Sequence, residues 1–220
     1  MIVSNSKKYF NSIISVKNLD CLRLSDGGSE KYYGGSQMWY PIRKKKYSGC
    51  GPTNCSNLFW YLAMTRKECK NFILHDVATK NNFIKLMNEV WNYVTPRRRG
   101  VDTLEIFTEG AEGYARKRGI PIKCRKLAIS VSKKRRPSNT EMFDFLEKAF
   151  SDDLPVAFLN LSSGLAKNLD RWHWVTIVSA NKMLGTVTIY DQGKKSDVNL
   201  TIWRNSTVLG GGFVVIEPVI

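Results

Sequence analysis

The strongest constraint on the fold is a change of periodicity near residue 154. Before it, apolar residues recur at helical spacing in long segments. After it they fall into short runs: LPVAFLNL (154–161), RWHWVTIVSA (171–180), GTVTIYD (185–191), VNLTIW (198–203) and GGFVVIEP (211–218). Turn residues such as Ser162–Ser163–Gly164 and Asp191–Gln192–Gly193 separate these runs, which therefore read as antiparallel strands. A helical first half followed by a β-rich second half predicts an α+β fold, with helices packed on a sheet rather than alternating with its strands. A chain of 220 residues is long enough for one substantial core, and a single domain over 1–220 is expected.

Within the first half, Leu58, Phe59, Leu62 and Ala63 recur at helical spacing after the string Gly49–Cys50–Gly51–Pro52. Proline suits a first helical turn, where its missing N–H has no intrahelical acceptor, so a helix is predicted to start beside Cys50. Further helices are predicted over 78–94, with Phe83, Ile84, Met87, Val90 and Trp91 on one face, and over 102–118, carrying Leu104, Phe107, Ala111 and Tyr114. Asp76 is expected to cap the first of these. Ile120–Leu127 reads as a strand, residues 133–139 as a loop, and Ser138 or Thr140 as the cap of a helix ending near Phe150. Residues 1–36 read as strands or irregular structure.

No apolar run reaches membrane-spanning length, and the first twenty residues lack an apolar core followed by a small-residue cleavage site. A cytoplasmic protein is expected. The five cysteines, at 21, 50, 55, 69 and 124, include no CxxC pair, which argues against a disulfide framework or a zinc site; free thiols, no metal and no cofactor are expected. The net charge of +15 is gathered in clusters at 43–46, 97–99, 116–118 and 133–136. These clusters offer a surface for an anionic partner or simply solvated faces, and no DNA- or RNA-binding motif accompanies them. The Arg97–Arg99 cluster, in a loop after Pro96, is expected to lie away from the Cys50 helix start.

Chemistry concentrates on few residues. A cysteine at a helix start meets unpaired N–H groups and the positive end of the macrodipole, both of which favour a thiolate. Cys50 has that setting, and Gly49 and Gly51 beside it would leave room for a substrate; Gly-Cys-Gly-Pro also reads as a plain turn into a helix. A cysteine nucleophile needs a histidine to take its proton. Of the two histidines, His75 sits in a loop, whereas His173 opens a strand face shared with Val175 and Ile177, opposite Trp172, Trp174 and Thr176. Asp191, ending the next strand, is the candidate to orient the imidazole, with Asp170 and Asn160 as weaker substitutes and a plain turn residue as the alternative. The Cys50 backbone N–H and an upstream amide, Gln37, are the candidate oxyanion donors, with Gln192 ranked below Gln37.

Gly49–Cys50–Gly51–Pro52–Thr53 entering a helix, His173–Trp174–Val175 in a later strand and Tyr190–Asp191 after a hairpin together resemble the papain-like cysteine peptidases, in particular the bacteriocin-leader (double-glycine) branch. The resemblance covers about 37–65 and 154–217. It implies a papain-like fold and a peptide or protein substrate. The implied roles are nucleophile for Cys50, general base for His173, orienting residue for Asp191 and oxyanion donor for Gln37. Acyl transfer on the same scaffold, or a polyanion-binding module without catalysis, are the competing expectations.

Overall fold

The computed structural model describes residues 13–219; residues 1–12, most of the stretch read for a secretory signal, lie outside them. The elements in chain order are β1 (Ile13–Ser15), β2 (Arg23–Ser25), β3 (Lys31–Tyr33), α1 (Arg43–Ser48), α2 (Cys50–Thr65), α3 (Lys80–Trp91), α4 (Leu104–Lys117), β4 (Ile122–Ile129), α5 (Asn139–Ser151), β5 (Val156–Asn160), β6 (His173–Asn181), β7 (Thr186–Asp191), β8 (Lys194–Asn199), α6 (Leu200–Ser206) and β9 (Gly211–Pro218). Single 3-10 turns cover Leu19–Leu22, Gln37–Trp39, Lys67–Phe72 and Lys133–Arg135. The fold is α+β.

β5 to β8 form a meander, β9 returns to pair with β5, and β4 pairs outside β9, giving the order β4-β9-β5-β6-β7-β8. Every pairing is antiparallel, and β1 joins the far end of β6. β2 and β3 form a separate hairpin. Side-chain alternation divides the sheet into two covered faces. Trp174 stacks on Phe107 of α4, and Thr176 accepts hydrogen bonds from α2. On the opposite face Phe158 and Phe213 pack with Trp203 of α6 and Phe145 of α5.

Helix α2 is the axis of the molecule. Its apolar spacing suggests one buried face, yet every residue from Gly51 to Ala63 is buried. Its polar groups are accommodated by specific partners: Trp60 Nε1 donates to the Cys21 carbonyl, Tyr61 Oη to Asp153 Oδ1, and Ser56 Oγ to the Pro52 carbonyl. The neighbouring helices follow the predicted faces. Thr103 caps α4, and Ser138 with Glu141 forms a capping box on α5.

The basic run at 43–46 forms a short helix, α1. Two expectations change. Thr79, not Asp76, caps α3, accepting from Asn82 N. VNLTIW is not a strand: Asn199 Oδ1 accepts from Ile202 N and starts α6, which buries Leu200 and Trp203 one turn apart.

Gly49 and Gly51 serve packing rather than substrate access. Neither has a positive φ. A Cβ on Gly49 would stand 2.4 Å from the Lys45 carbonyl oxygen, and one on Gly51 would stand 2.7 Å from two Val101 side-chain atoms. Gly51→Ala should therefore destabilise the fold by about 1–3 kcal/mol through overpacking, read as a lower denaturant midpoint at unchanged slope. A midpoint at or above wild type would mean that Val101 gives way and helix propensity wins.

Candidate active site

Cys50 is the first residue of α2, with Gly49 as its N-cap, so the thiol stands at the helix start as predicted. His173 is the first residue of β6 and is buried; the chain reaches it through Trp172, whose φ of 56° is unusual for an aromatic residue. Asp191 ends β7. Tyr190 lies across from Thr176, so the next residue along β7 falls on the face of Val175 and His173.

His173 Nε2 lies 2.7 Å from Asp191 Oδ1. The Cys50 side chain lines the same small cavity as the ring, whose Nδ1 is the nitrogen that Asp191 leaves open. Burial opposes the charged imidazole, but hydrogen bonds and charge from Asp191 and Cys50 outweigh it and raise the pKa to about 10. Because this exceeds the ordinary 6.5, these partners favour the folded state fully below that value, and the contribution is lost as pH rises through about 10.

Asp191 is held in place by the turn that follows it. Gln192 and Gly193 have φ of 51° and 75°, the two positive values of a type I′ hairpin turn, and Asp191 pairs with Lys194. Three hydrogen bonds tie this turn to the segment before Gln37: Tyr33 N to the Gly193 carbonyl, Gly193 N to the Gly35 carbonyl, and Ser36 Oγ to Gln192 Oε1. Gln192 thus bridges the walls through its Oε1, and it lines the same cavity as Cys50.

Gln37 lines the same cavity as Cys50, His173 and Asp191. Its Nε2 donates to the Lys46 carbonyl at 2.6 Å, which folds the intervening basic run back as α1 and leaves a second N–H on the amide. The Cys50 N–H, in the first turn of α2, has no intrahelical acceptor. The cavity has a volume of about 10 Å³, room for one small group.

The remaining sequence candidates lie elsewhere in the network or outside it. Asn160 donates to the Asp170 carbonyl and accepts from Trp203 Nε1, so its amide supports a loop and not the imidazole. His75 is exposed on the loop leading to α3. Burial raises the pKa of all four other cysteines: Cys21, with Asp153 adding to it, Cys55 well above its ordinary value, Cys69 to about 11 and Cys124 to about 12.

Two residues that sequence reasoning passed over hold the site together. Asn57 Oδ1 accepts from Gly35 N, while Asn54 and Asn57 both donate through Nδ2 to Thr176 Oγ1. This joins α2, the Gly35 segment and β6 behind Cys50 and His173. Asn54 Oδ1 and Gln37 Oε1 are buried without a partner, and both side chains line the cavity. The available signal was a pair of amides one turn apart inside an otherwise apolar helix.

Among the described residues no three His, Cys, Asp or Glu side chains cluster as metal ligands would, and no helix is long and apolar enough to cross a membrane. Comparison with protein-family models and with curated protein sequences finds no match.

Proposed function

We propose that the chain is a papain-like cysteine hydrolase that cleaves peptide or isopeptide amides through an acyl-enzyme on Cys50. The observation that carries this reading is the His173 imidazole bonded to Asp191 Oδ1, at 2.7 Å, in one small cavity with the Cys50 thiol at the start of a buried helix. A helix bearing the thiol against an antiparallel sheet bearing the histidine and aspartate is the arrangement that the papain-like resemblance implies.

In the proposed reaction His173 Nδ1 holds the thiol proton and Cys50 Sγ attacks the amide carbon. The carbonyl oxygen becomes an oxyanion facing the Cys50 N–H and the second N–H of the Gln37 amide. The imidazolium then passes its proton to the departing amine, and the C–N bond breaks. Water, deprotonated by His173, attacks the thioester carbonyl and releases the carboxylate and the thiol. An amine acceptor in place of water would give acyl transfer by the same first step.

Incubating the protein with a peptide library and reading new termini by mass spectrometry tests the reaction. Asp191→Ala should lower the cleavage rate by about 10- to 100-fold, since the imidazolium loses its partner carboxylate. An absence of new termini with wild-type protein, or an unchanged rate in Asp191→Ala, would count against the proposal.

A further inference from the structure

An open groove of about 750 Å³ lies between α1 and the loop after Pro96 and reaches Ser48, two residues before Cys50. One wall is α1, with Lys44, Lys45 and Tyr47; the other carries Trp91, Arg97 and Arg98. No Asp or Glu lines it among the described residues. Tyr47 is 73% exposed and Ile42, at the start of α1, 57%, so apolar surface lies open between the cations.

Both walls lead to the nucleophile. α1 ends at Ser48, which lines the groove two residues before Cys50, and its Lys46 carbonyl anchors Gln37. The opposite wall is a tight turn closed by mutual backbone hydrogen bonds between Arg97 and Gly100, the latter with φ of 82°. Directly after it, Val101 packs on Gly51 and accepts from Trp174 Nε1, next to His173. The arginine cluster expected to lie away from the helix start is thus brought beside it, because the loop after Pro96 turns back.

The cations are arranged rather than merely crowded. Lys45 Nζ donates to Asn88 Oδ1 and lies 4.9 Å from the Trp91 ring, and Arg43 lies over the Tyr47 ring at 5.6 Å. Arg97 has only a loose pair with Glu109, at 3.9 Å with both side chains about 70% exposed. Arg98 takes part in no ion pair with a described residue.

We infer that this groove binds an acidic segment of the peptide substrate, carboxylates meeting Lys44, Arg97 and Arg98 while intervening apolar side chains lie on Tyr47 and Trp91. The inference rests on the hydrolase reading for its substrate. A peptide fits better than a nucleic acid because the cationic walls enclose apolar surface and the groove reaches Ser48, two residues before Cys50.

The test is a titration of two labelled peptides, one alternating Glu and Leu and the other Gln and Leu, onto Cys50→Ala, which binds without cleaving. The acidic peptide should bind at least about tenfold more tightly at low salt, and the preference should shrink as salt is added. Added to Cys50→Ala, Arg97→Glu/Arg98→Glu should abolish it and Arg97→Gln/Arg98→Gln should weaken it, while the same substitutions in the protein that retains Cys50 should leave its iodoacetamide labelling unchanged. Equal binding of the two peptides, or a preference that survives the double reversal, would overturn the inference. So would a single-stranded oligonucleotide that competes more strongly than the acidic peptide. A Cys50 that fails to label while the acidic preference holds would instead remove the hydrolase reading and leave the groove standing.

Discussion

Cys50→Ala is expected to fold like the wild type, to lose all peptide cleavage and to lose thiol labelling at mildly acidic pH. The substitution removes one partly buried sulfur from the edge of the core, where the other cysteine of α2, Cys55, is fully buried. Selectivity comes from the remaining thiols: burial raises Cys21, Cys55, Cys69 and Cys124, so none of them supplies thiolate near pH 6. Mass spectrometry of the intact protein after brief exposure to iodoacetamide reads the outcome directly. One adduct on the wild type and none on Cys50→Ala is the expected result. Labelling that persists in Cys50→Ala and disappears in Cys55→Ala would assign the reactive thiol to the wrong residue.

The candidate site residues were legible because each sits where an element begins or ends. Gly-Cys-Gly-Pro opens a helix, His173 opens a strand, and Asp191 closes one before a Gln-Gly turn, so local punctuation locates all three. The antiparallel sheet followed equally from short apolar runs separated by turn residues. Other features were hidden for physical reasons. Leu200, Thr201, Ile202 and Trp203 carry β-type propensity, and only the Asn199 cap and the burial of Leu200 and Trp203 on one side make them a helix. The basic run of α1 has no side-chain cap and no apolar stripe, and the contact that folds it back, Gln37 to the Lys46 carbonyl, is tertiary. Asn54 and Asn57 look like solvated positions until Thr176, more than a hundred residues away in sequence, comes to meet them. The position of Arg97 and Arg98 across a groove from α1 goes with Val101 reaching both Gly51 and Trp174, which no local pattern reports.

The second large effect is expected from His173. Burial opposes its charge, but Asp191 and Cys50 as partners raise its pKa to about 10, against an ordinary 6.5, which favours the imidazolium form. In the proposed hydrolase this ring takes the Cys50 proton, so alkylation should stay fast as pH falls below 7. Removing the ring in His173→Ala leaves a thiol without its ion-pair partner. At pH 6 an ordinary cysteine, with a pKa of about 8.5, is almost wholly protonated, so the rate should drop on the order of 100-fold. At pH 9 the difference should nearly vanish, because even an ordinary thiol is then mostly ionised. The direct measurement is the rate of Cys50 alkylation from pH 4 to 10 in wild type and His173→Ala. A wild-type profile already high at pH 6, with a His173→Ala profile that rises only near pH 8 to 9, is the result the activated pair predicts. Two profiles that rise together near pH 8 to 9 would contradict it.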